Sequence, residues 1–185
     1  MGRIVYGMMM SLDGYIAGPD GSIDLPVPEP ELHWYFNNLM KRTAVSLYGR
    51  RMYETMKVWQ DWDRRPDVSE VLADFARAWR AVPKVVVSTT LTEVGPNASL
   101  VRDNVEAAVL KLKADTQGEI AVSGAGLAGS LSKLGLIDEY QLFLQPVVLG
   151  GGTAFFQPGT PLRLKPLGRE ELPQGVQLLR YGRGN

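Results

Sequence analysis

The chain has 185 residues, 45% of them hydrophobic and 22% charged, with 20 Lys plus Arg against 20 Asp plus Glu. That suits one domain, residues 1–185, with a sizeable core. The even charge gives no pull towards nucleic acid or an anionic membrane surface. With no cysteine, disulfides, thiol catalysis and thiolate metal sites are excluded. His33 is the single histidine, so a histidine-based metal centre or a Ser-His-Asp triad is hard to build, and no metal is expected. The chain enters Arg3-Ile4-Val5-Tyr6 without a signal-peptide pattern. Its apolar runs are too short to span a bilayer, so a cytoplasmic protein is the expectation.

Residues 3–10 are a dense apolar run, the pattern of a strand buried on both faces. Asp13-Gly14 and Pro19-Asp20-Gly21 are turn signals, which makes the stretch to Pro30 a long loop anchored by Tyr15, Ile16 and Ile23. Long loops in compact domains are often functional. Pro28-Glu29-Pro30-Glu31 opens a helix with Leu32, Phe36, Leu39 and Met40 on one face. His33 falls in its first turn and reads as a surface or half-buried residue without a catalytic role. Glu31 is either a dipole-complementing acid or a functional one.

Ala44–Tyr48 reads as a strand that Gly49-Arg50-Arg51 turns into a helix. Two cations in a first helical turn oppose the dipole, and a bound anion would account for them. No carboxylate stands beside Arg50 in sequence; Glu54 lies a turn further on. Val68, Val71, Leu72, Phe75 and Trp79 mark an amphipathic helix ended by Pro83. Lys84–Ser88 is a strand ending in Ser88-Thr89-Thr90, hydroxyls suited to phosphate or ribose and equally to a turn. Ala98–Val101 is a short strand, and Asn104 can cap a helix carrying Val105, Ala108, Val109 and Leu112.

The stretch from Glu119 to Gly152 is the most informative. Ile120–Val122 is a strand, Ser123-Gly124-Ala125-Gly126 a small-residue turn, and Leu127, Leu131 and Leu134 one face of a helix ended by Gly135. Tyr140–Leu149 is a second apolar run, stopping at Gly150-Gly151-Gly152. Free N–H groups where a glycine turn enters a helix make an anion site; a tight turn without ligand is the plain alternative. Gly124-x-Gly126-x-x-Gly129 satisfies the dinucleotide fingerprint, but it lies far along the chain, and Asp138 and Glu139 come too early to be the ribose acid. Leu162-Arg163-Leu164 and Val176–Tyr181 look like a closing pair of strands.

Strands alternating with helices predict an α/β, three-layer αβα fold around a mainly parallel sheet. Ligands bind such sheets at the carboxyl ends of the strands. Three strands here end in polar or glycine turns, at Gly49-Arg50, Ser88-Thr89 and Ser123-Gly124, which together suit an extended molecule with several phosphates.

The ordered set Ser-Leu-Asp-Gly-Tyr-Ile-Ala (11–17), Leu-Tyr-Gly-Arg-Arg-Met-Tyr-Glu (47–54), Val-Ser-Gly-Ala-Gly-Leu (122–127), Gly-Leu-Ile-Asp-Glu-Tyr (135–140) and Pro-Val-Val-Leu-Gly-Gly-Gly (146–152) resembles the dihydrofolate reductase-like superfamily. Within it, the set is most similar to the reductase domain of the riboflavin-biosynthesis deaminase/reductase, and the resemblance covers nearly the whole chain. It implies a mixed, mainly parallel sheet and bound NADPH. It puts Gly49 and Arg50 at the cofactor's phosphates, with Arg51 in the same turn although adjacent helical residues do not share a face. Ser88 and Thr89 follow the adenosine half, and Ser123, Gly124, Ala125, Gly126 and Leu127 the diphosphate. The loop 11–18, including Ala17, covers the nicotinamide. Asp13, Asp24 and Glu31 are the acids the resemblance offers as catalytic, Glu31 by analogy with the pterin-binding acid of folate reductases.

The resemblance also implies a homodimer, with the strand Tyr140–Leu149 contributing to its surface. The deaminase half of that enzyme needs zinc-binding cysteines, of which these 185 residues have none, so the resemblance is to the reductase alone. The Leu-Gly-Gly-Gly segment points away from folate reduction itself. The expected activity is hydride transfer from NADPH to a C=N or C=O group of a small heterocyclic or ribosylamino-pyrimidine substrate. A pterin reductase and a non-catalytic nucleotide-binding module are the alternatives.

Overall fold

The structure is a computed structural model that describes residues 1–159 and 161–184. The expected domain, 1–185, therefore includes two residues, Thr160 and Asn185, that lie outside the described ones. In chain order the strands are β1 (Arg3–Met10), β2 (Tyr15–Ala17), β3 (Thr43–Gly49), β4 (Lys84–Val87), β5 (Ala98–Val101), β6 (Glu119–Ser123), β7 (Glu139–Leu144), β8 (Thr153–Ala154), β9 (Leu164–Glu171) and β10 (Gln177–Arg183). The helices are α1 (Pro30–Arg42), α2 (Arg50–Met56), α3 (Glu70–Ala81), α4 (Val105–Asp115) and α5 (Ala125–Lys133).

Eight strands form one sheet in the order β5-β4-β3-β6-β1-β7-β10-β9, and β2 pairs with β8 in a separate two-stranded piece. Strands β5, β4, β3, β6, β1 and β7 run parallel, while β10 is antiparallel to β7 and β9 to β10. The expected mixed, mainly parallel sheet is found. Parallel strands need crossovers, and helices supply them on both faces. Ile4, Tyr6 and Met10 of β1 join Leu47, Val122, Val109 and Leu131 in the core under α4 and α5. Met9 turns the other way, to Leu32, Phe143 and Leu178 under α1. A strand covered on both sides over most of its length has no polar face to show, which is why 3–10 reads as a dense apolar run.

Helix α1 begins with Pro30 at its first position and ends with Lys41 and Arg42, consistent with its dipole. It packs on α3, whose Val71, Phe75 and Trp79 are all buried. Trp79 Nε1 donates to Tyr48 Oη at 3.2 Å, tying α3 to β3.

Several expectations need correction. His33 is buried, at 9% exposure, and its Nδ1 meets Asn37 Oδ1 at 2.8 Å. Asn37 in turn donates to Val71 O and Asp74 Oδ2, so this polar group joins α1 to α3. Asn104 makes no side-chain cap; it takes a left-handed conformation, φ 47°, before α4. Strand β7 stops at Leu144 rather than Leu149, because Pro146 has no N–H for the ladder. Strand β9 begins at Leu164 and runs on to Glu171. The pair β2–β8 was not visible as strands: each is short, and their pairing spans most of the chain.

Candidate active site

The crossovers from β3 and from β6 leave in opposite directions, β3 outwards to β4 and β6 over β1 to β7. Adjacent strands whose connections diverge leave a crevice outside their carboxyl ends, where ligands of α/β folds sit. The ends in question are Gly49 and Ser123-Gly124. Tyr48 is the register partner of Ser123, and Gly49 that of Val87, which precedes Ser88. The sheet thus sets the three expected turns side by side.

Each turn has its own local cause. Gly124 has φ +100°, a conformation that disfavours any side chain, and a Cβ there would lie 3.2 Å from Met52 Cβ of α2. A Cβ on Gly49 would lie 3.6 Å from Leu127 Cβ, so the two turns pack directly on each other. Helix α5 starts without a side-chain cap, and the N–H groups of its first turn have no partner within the helix. Ala125 is buried in the core and can offer only its backbone, whereas Gly126 is exposed with open space where a Cβ would stand. Nothing in the protein requires glycine at 126, and a helical glycine costs roughly 0.5–1 kcal/mol relative to alanine. A ligand approaching the backbone would account for it. Gly129 is different, since a Cβ there would meet Gln157 Cγ at 2.7 Å.

Ser88 is buried, and its Oγ accepts from the N–H of Thr90 at 3.2 Å and of Leu91 at 3.1 Å. Its hydroxyl shapes the turn; Thr89 is the exposed member of the pair. Arg50 and Arg51 are exposed. Contrary to the reading of an unaccompanied arginine, Glu54 comes within 3.9 Å of Arg50, because residues four apart share a helix face.

Across the sheet, beyond β1, lie the three acids. Asp13 Oδ1 and Oδ2 accept from the N–H groups of Leu149 and Gly150, at 3.1 and 2.7 Å. The Ser11 hydroxyl and these amides hold its carboxyl below the usual 3.8. Asp13 therefore ties the loop 11–18 to the Gly150 turn. Three further contacts close this seam: Leu12 N–H to Val147 O, Phe155 N–H to Gly14 O, and the β2–β8 pairing that includes Ala17 with Thr153. Gly152, φ +130°, passes so near the Ala17 carbonyl that a Cβ would collide with it. Asp24 is exposed and shares the Ser22 hydroxyl, at 2.6 Å, with Asp20. Glu31 is exposed in the first turn of α1. The three acids do not form one cluster: Asp13 is engaged with the glycine segment, Asp24 with its own turn, and Glu31 stands at the helix start.

A cleft of about 690 Å³ opens along the outer flank of α2 and the loop 91–96, walled by Tyr53, Glu54, Lys57, Asp61, Glu93 and Pro96 among others. Carboxylates outnumber cations in that set, which suits it poorly to phosphates. The glycine turns are the better candidate.

With this geometry in hand, the family follows. A model of the RibD C-terminal domain matches residues 3–178. The chain belongs to the RibD C-terminal domain family. The uncharacterized protein YyaP of Bacillus subtilis is 31% identical over 158 residues, 83% of this chain and 80% of that protein. A Shewanella protein provisionally assigned to riboflavin biosynthesis superposes with a TM-score of 0.75 at 25% identity, over 100% of both chains. The Thermotoga maritima deaminase/5-amino-6-(5-phosphoribosylamino)uracil reductase superposes with a TM-score of 0.67 at 14% identity, over 99% of this chain and 57% of that one. The RibD C-terminal fold seen here is the dihydrofolate reductase-like three-layer arrangement, as the motif order implies. Among the described residues of this RibD-type domain, no helix is long and apolar enough to cross a membrane.

Proposed function

We propose that the protein is an NADPH-dependent reductase acting on a C=N or C=O group of a small heterocycle of the ribosylamino-pyrimidine type. The observation that carries this is the meeting of the turns at Gly49, Ser88 and Ser123-Gly124 at the sheet's switch point, with open space over Gly126. The residues present fit a dinucleotide diphosphate: uncapped N–H groups of α5, a glycine without a steric need, and an exposed guanidinium nearby. In this reading Gly124, Ala125, Gly126 and Leu127 hold the diphosphate through the backbone, Arg50 meets the 2′-phosphate, and Thr89 lies along the adenosine half. Arg51 faces elsewhere. NADPH, when bound, supplies the hydride. The chain's part is to orient the reacting ring, exclude water beneath the 11–18 seam, and position a proton. Glu31 is the acid best placed for the proton, being exposed and not engaged in a turn; Asp13 acts on the seam.

We also propose a homodimer. Met8, Leu142, Leu144, Leu179 and Tyr181 form a half-buried apolar row on one face of β1, β7 and β10, and a second copy would cover it. Light scattering that finds a monomer at all working concentrations would end that part.

The test of the function is NADPH consumption with 5-amino-6-(5-phosphoribosylamino)uracil and, in parallel, with dihydropterins. Turnover of the uracil and a thermal shift with NADPH are expected. NADPH at 100 times its dissociation constant should add roughly 2.7 kcal/mol. No shift sinks the cofactor assignment, and turnover of pterins alone moves the chain to the alternative reductase class. Glu31→Gln should lower kcat while Asp24→Asn leaves it unchanged, with NADPH affinity the same in both.

A further inference from the structure

Where β7 ends, the chain leaves the sheet through Gln145 and Pro146. Gln145 is fully buried, at 0% exposure. Its backbone N–H donates to the Met10 carbonyl at 2.8 Å, which fixes it beside the end of β1. Its side chain is poorly served. Oε1 has no hydrogen-bond partner, and Nε2 donates to Met9 Sδ at 3.2 Å, a weak acceptor. Exchanging oxygen and nitrogen would set the carbonyl oxygen against a thioether that has no hydrogen to give, so the sulfur favours the nitrogen on its side. Buried polar groups are normally paired, and leaving one unpaired destabilises the fold.

The position of this amide is informative. Its partner Met9 belongs to the cluster with Phe143, Leu32 and Leu178, on the α1 side of the sheet. The turn Pro173–Gly175 links this strand end to the start of α1. A Cβ on Gly175 would lie 3.7 Å from Pro146 Cγ. The Gln174 side chain accepts from the Glu29 N–H at 2.9 Å. The underused amide and the exposed Glu31 thus share one side of the sheet's carboxyl edge, across β1 from the glycine turns.

We propose that Gln145 reads the heterocycle of the substrate. A primary amide pairs with an adjacent N–H donor and C=O acceptor, the ring-amide edge that uracils and pterins share. Oε1 takes the ring N–H, and Nε2 gives up the thioether for the ring carbonyl. Met9 is unbranched and flexible, and its withdrawal opens the place. The assignment rests on the reductase reading for its substrate class, and it explains why an amide is kept where an apolar side chain would be more stable.

The experiment titrates the wild type and Gln145→Met with 5,6-diaminouracil, with 4,5-diaminopyrimidine, which lacks the ring amide, and with NADPH, and melts both proteins. The wild type is expected to bind the uracil at least tenfold tighter than the pyrimidine. The variant should lose at least tenfold on the uracil and keep its NADPH affinity. Its Tm should rise by roughly 2–4 °C, as relief of about 1 kcal/mol predicts for a chain of this size. In the wild type, the Gln145 side-chain NH₂ resonances should shift when the uracil is added, a readout that survives if the variant does not fold. No preference for the uracil, no shift of those resonances, or a variant that binds like the wild type overturns the proposal. A fallen Tm with uracil binding intact does so too, since the amide is then a structural group. If NADPH fails to bind while the Gln145-dependent uracil response persists, the reductase reading falls and the assignment of Gln145 stands.

Discussion

The two halves of the sheet's carboxyl edge are built by different means. On the β3–β6 side, each element of the site is a strand end followed at once by a helix or turn, and neighbouring strands fix their spacing. On the β1–β7 side, the site is made of loops that hold one another: Asp13 to Leu149 and Gly150, Leu12 to Val147, Ala17 to Thr153. The first half is positioned by the sheet and the second by contacts between segments over a hundred residues apart. Damage to the first should therefore remove a ligand contact and leave the fold. Damage to the second should loosen the structure and the site together.

The largest effect is expected at the seam. Gly152 combines φ +130° with a Cβ position already filled by the Ala17 carbonyl. A side chain there has to break the backbone crossing of the two loops. Gly152→Val should cost roughly 2–4 kcal/mol in urea unfolding, as strain and overpacking do elsewhere, with turnover lost in parallel. A variant as stable as the wild type would show that the seam is not held by this crossing.

The contrasting substitution is at Gly126. Open space and a helical backbone mean that Gly126→Ala should stabilise the free protein by roughly 0.5–1 kcal/mol. The larger Gly126→Val should weaken NADPH by about a hundredfold or more without unfolding the chain. Calorimetric titration beside thermal melting reads both. Unchanged NADPH affinity in Gly126→Val would mean that the backbone at 126 is not approached by the cofactor.

The same division explains what the sequence discloses. Gly124, Gly49 and the hydroxyls after β4 carry their meaning within a few residues, through turn chemistry and the alternation of strands and helices. The sheet then brings them together through its parallel crossovers. The β2–β8 pair and the job of Asp13 have no such local signature. An Asp-Gly turn looks the same whether its carboxylate faces a substrate or the amides of Leu149 and Gly150. His33 is a similar case: in a first helical turn it looks exposed, and only the packing of α1 on α3 buries it against Asn37. Gln145 does carry a signal in retrospect, a polar residue directly before Pro146 and directly after the apolar Leu142-Phe143-Leu144, but nothing local says that its Oε1 is left without a partner.

A smaller effect separates the two arginines on the β3–β6 side. A 2′-phosphate carries charge that NADH lacks, and charge-assisted hydrogen bonds contribute about 1.5–3 kcal/mol. Arg50→Ala should weaken NADPH by roughly tenfold or more and leave NADH nearly unchanged, and Arg51→Ala should alter the ratio little. Glu54 competes for Arg50 at 3.9 Å, so Glu54→Gln should strengthen NADPH slightly. Equal loss of both cofactors in Arg50→Ala would move the arginine to the shared diphosphate.

The smallest effect sharpens the account of Asp13. Hydrogen bonds from the Ser11 hydroxyl and from the amides of Leu149 and Gly150 lower its pKa from 3.8 in the folded chain. A carboxyl with a depressed folded pKa stabilises the fold above its unfolded value, and the contribution is lost as pH falls through the folded one. The tie across the seam should thus be constant from neutral pH down to about pH 5 and disappear only in stronger acid. Asp13→Asn keeps one acceptor but turns an N–H₂ towards an amide that needs one, so it should lower Tm modestly at neutral pH. The gap between wild type and variant should close below the usual carboxylate range. Turnover should follow the seam: a modest fall in kcat with NADPH affinity intact, and no displacement of the acid limb of the pH–rate profile. If Asp13→Asn instead removes that limb, Asp13 gives the substrate its proton and Glu31 does not. A thermal gap that stays open in acid would show that charge is not what holds the two loops together.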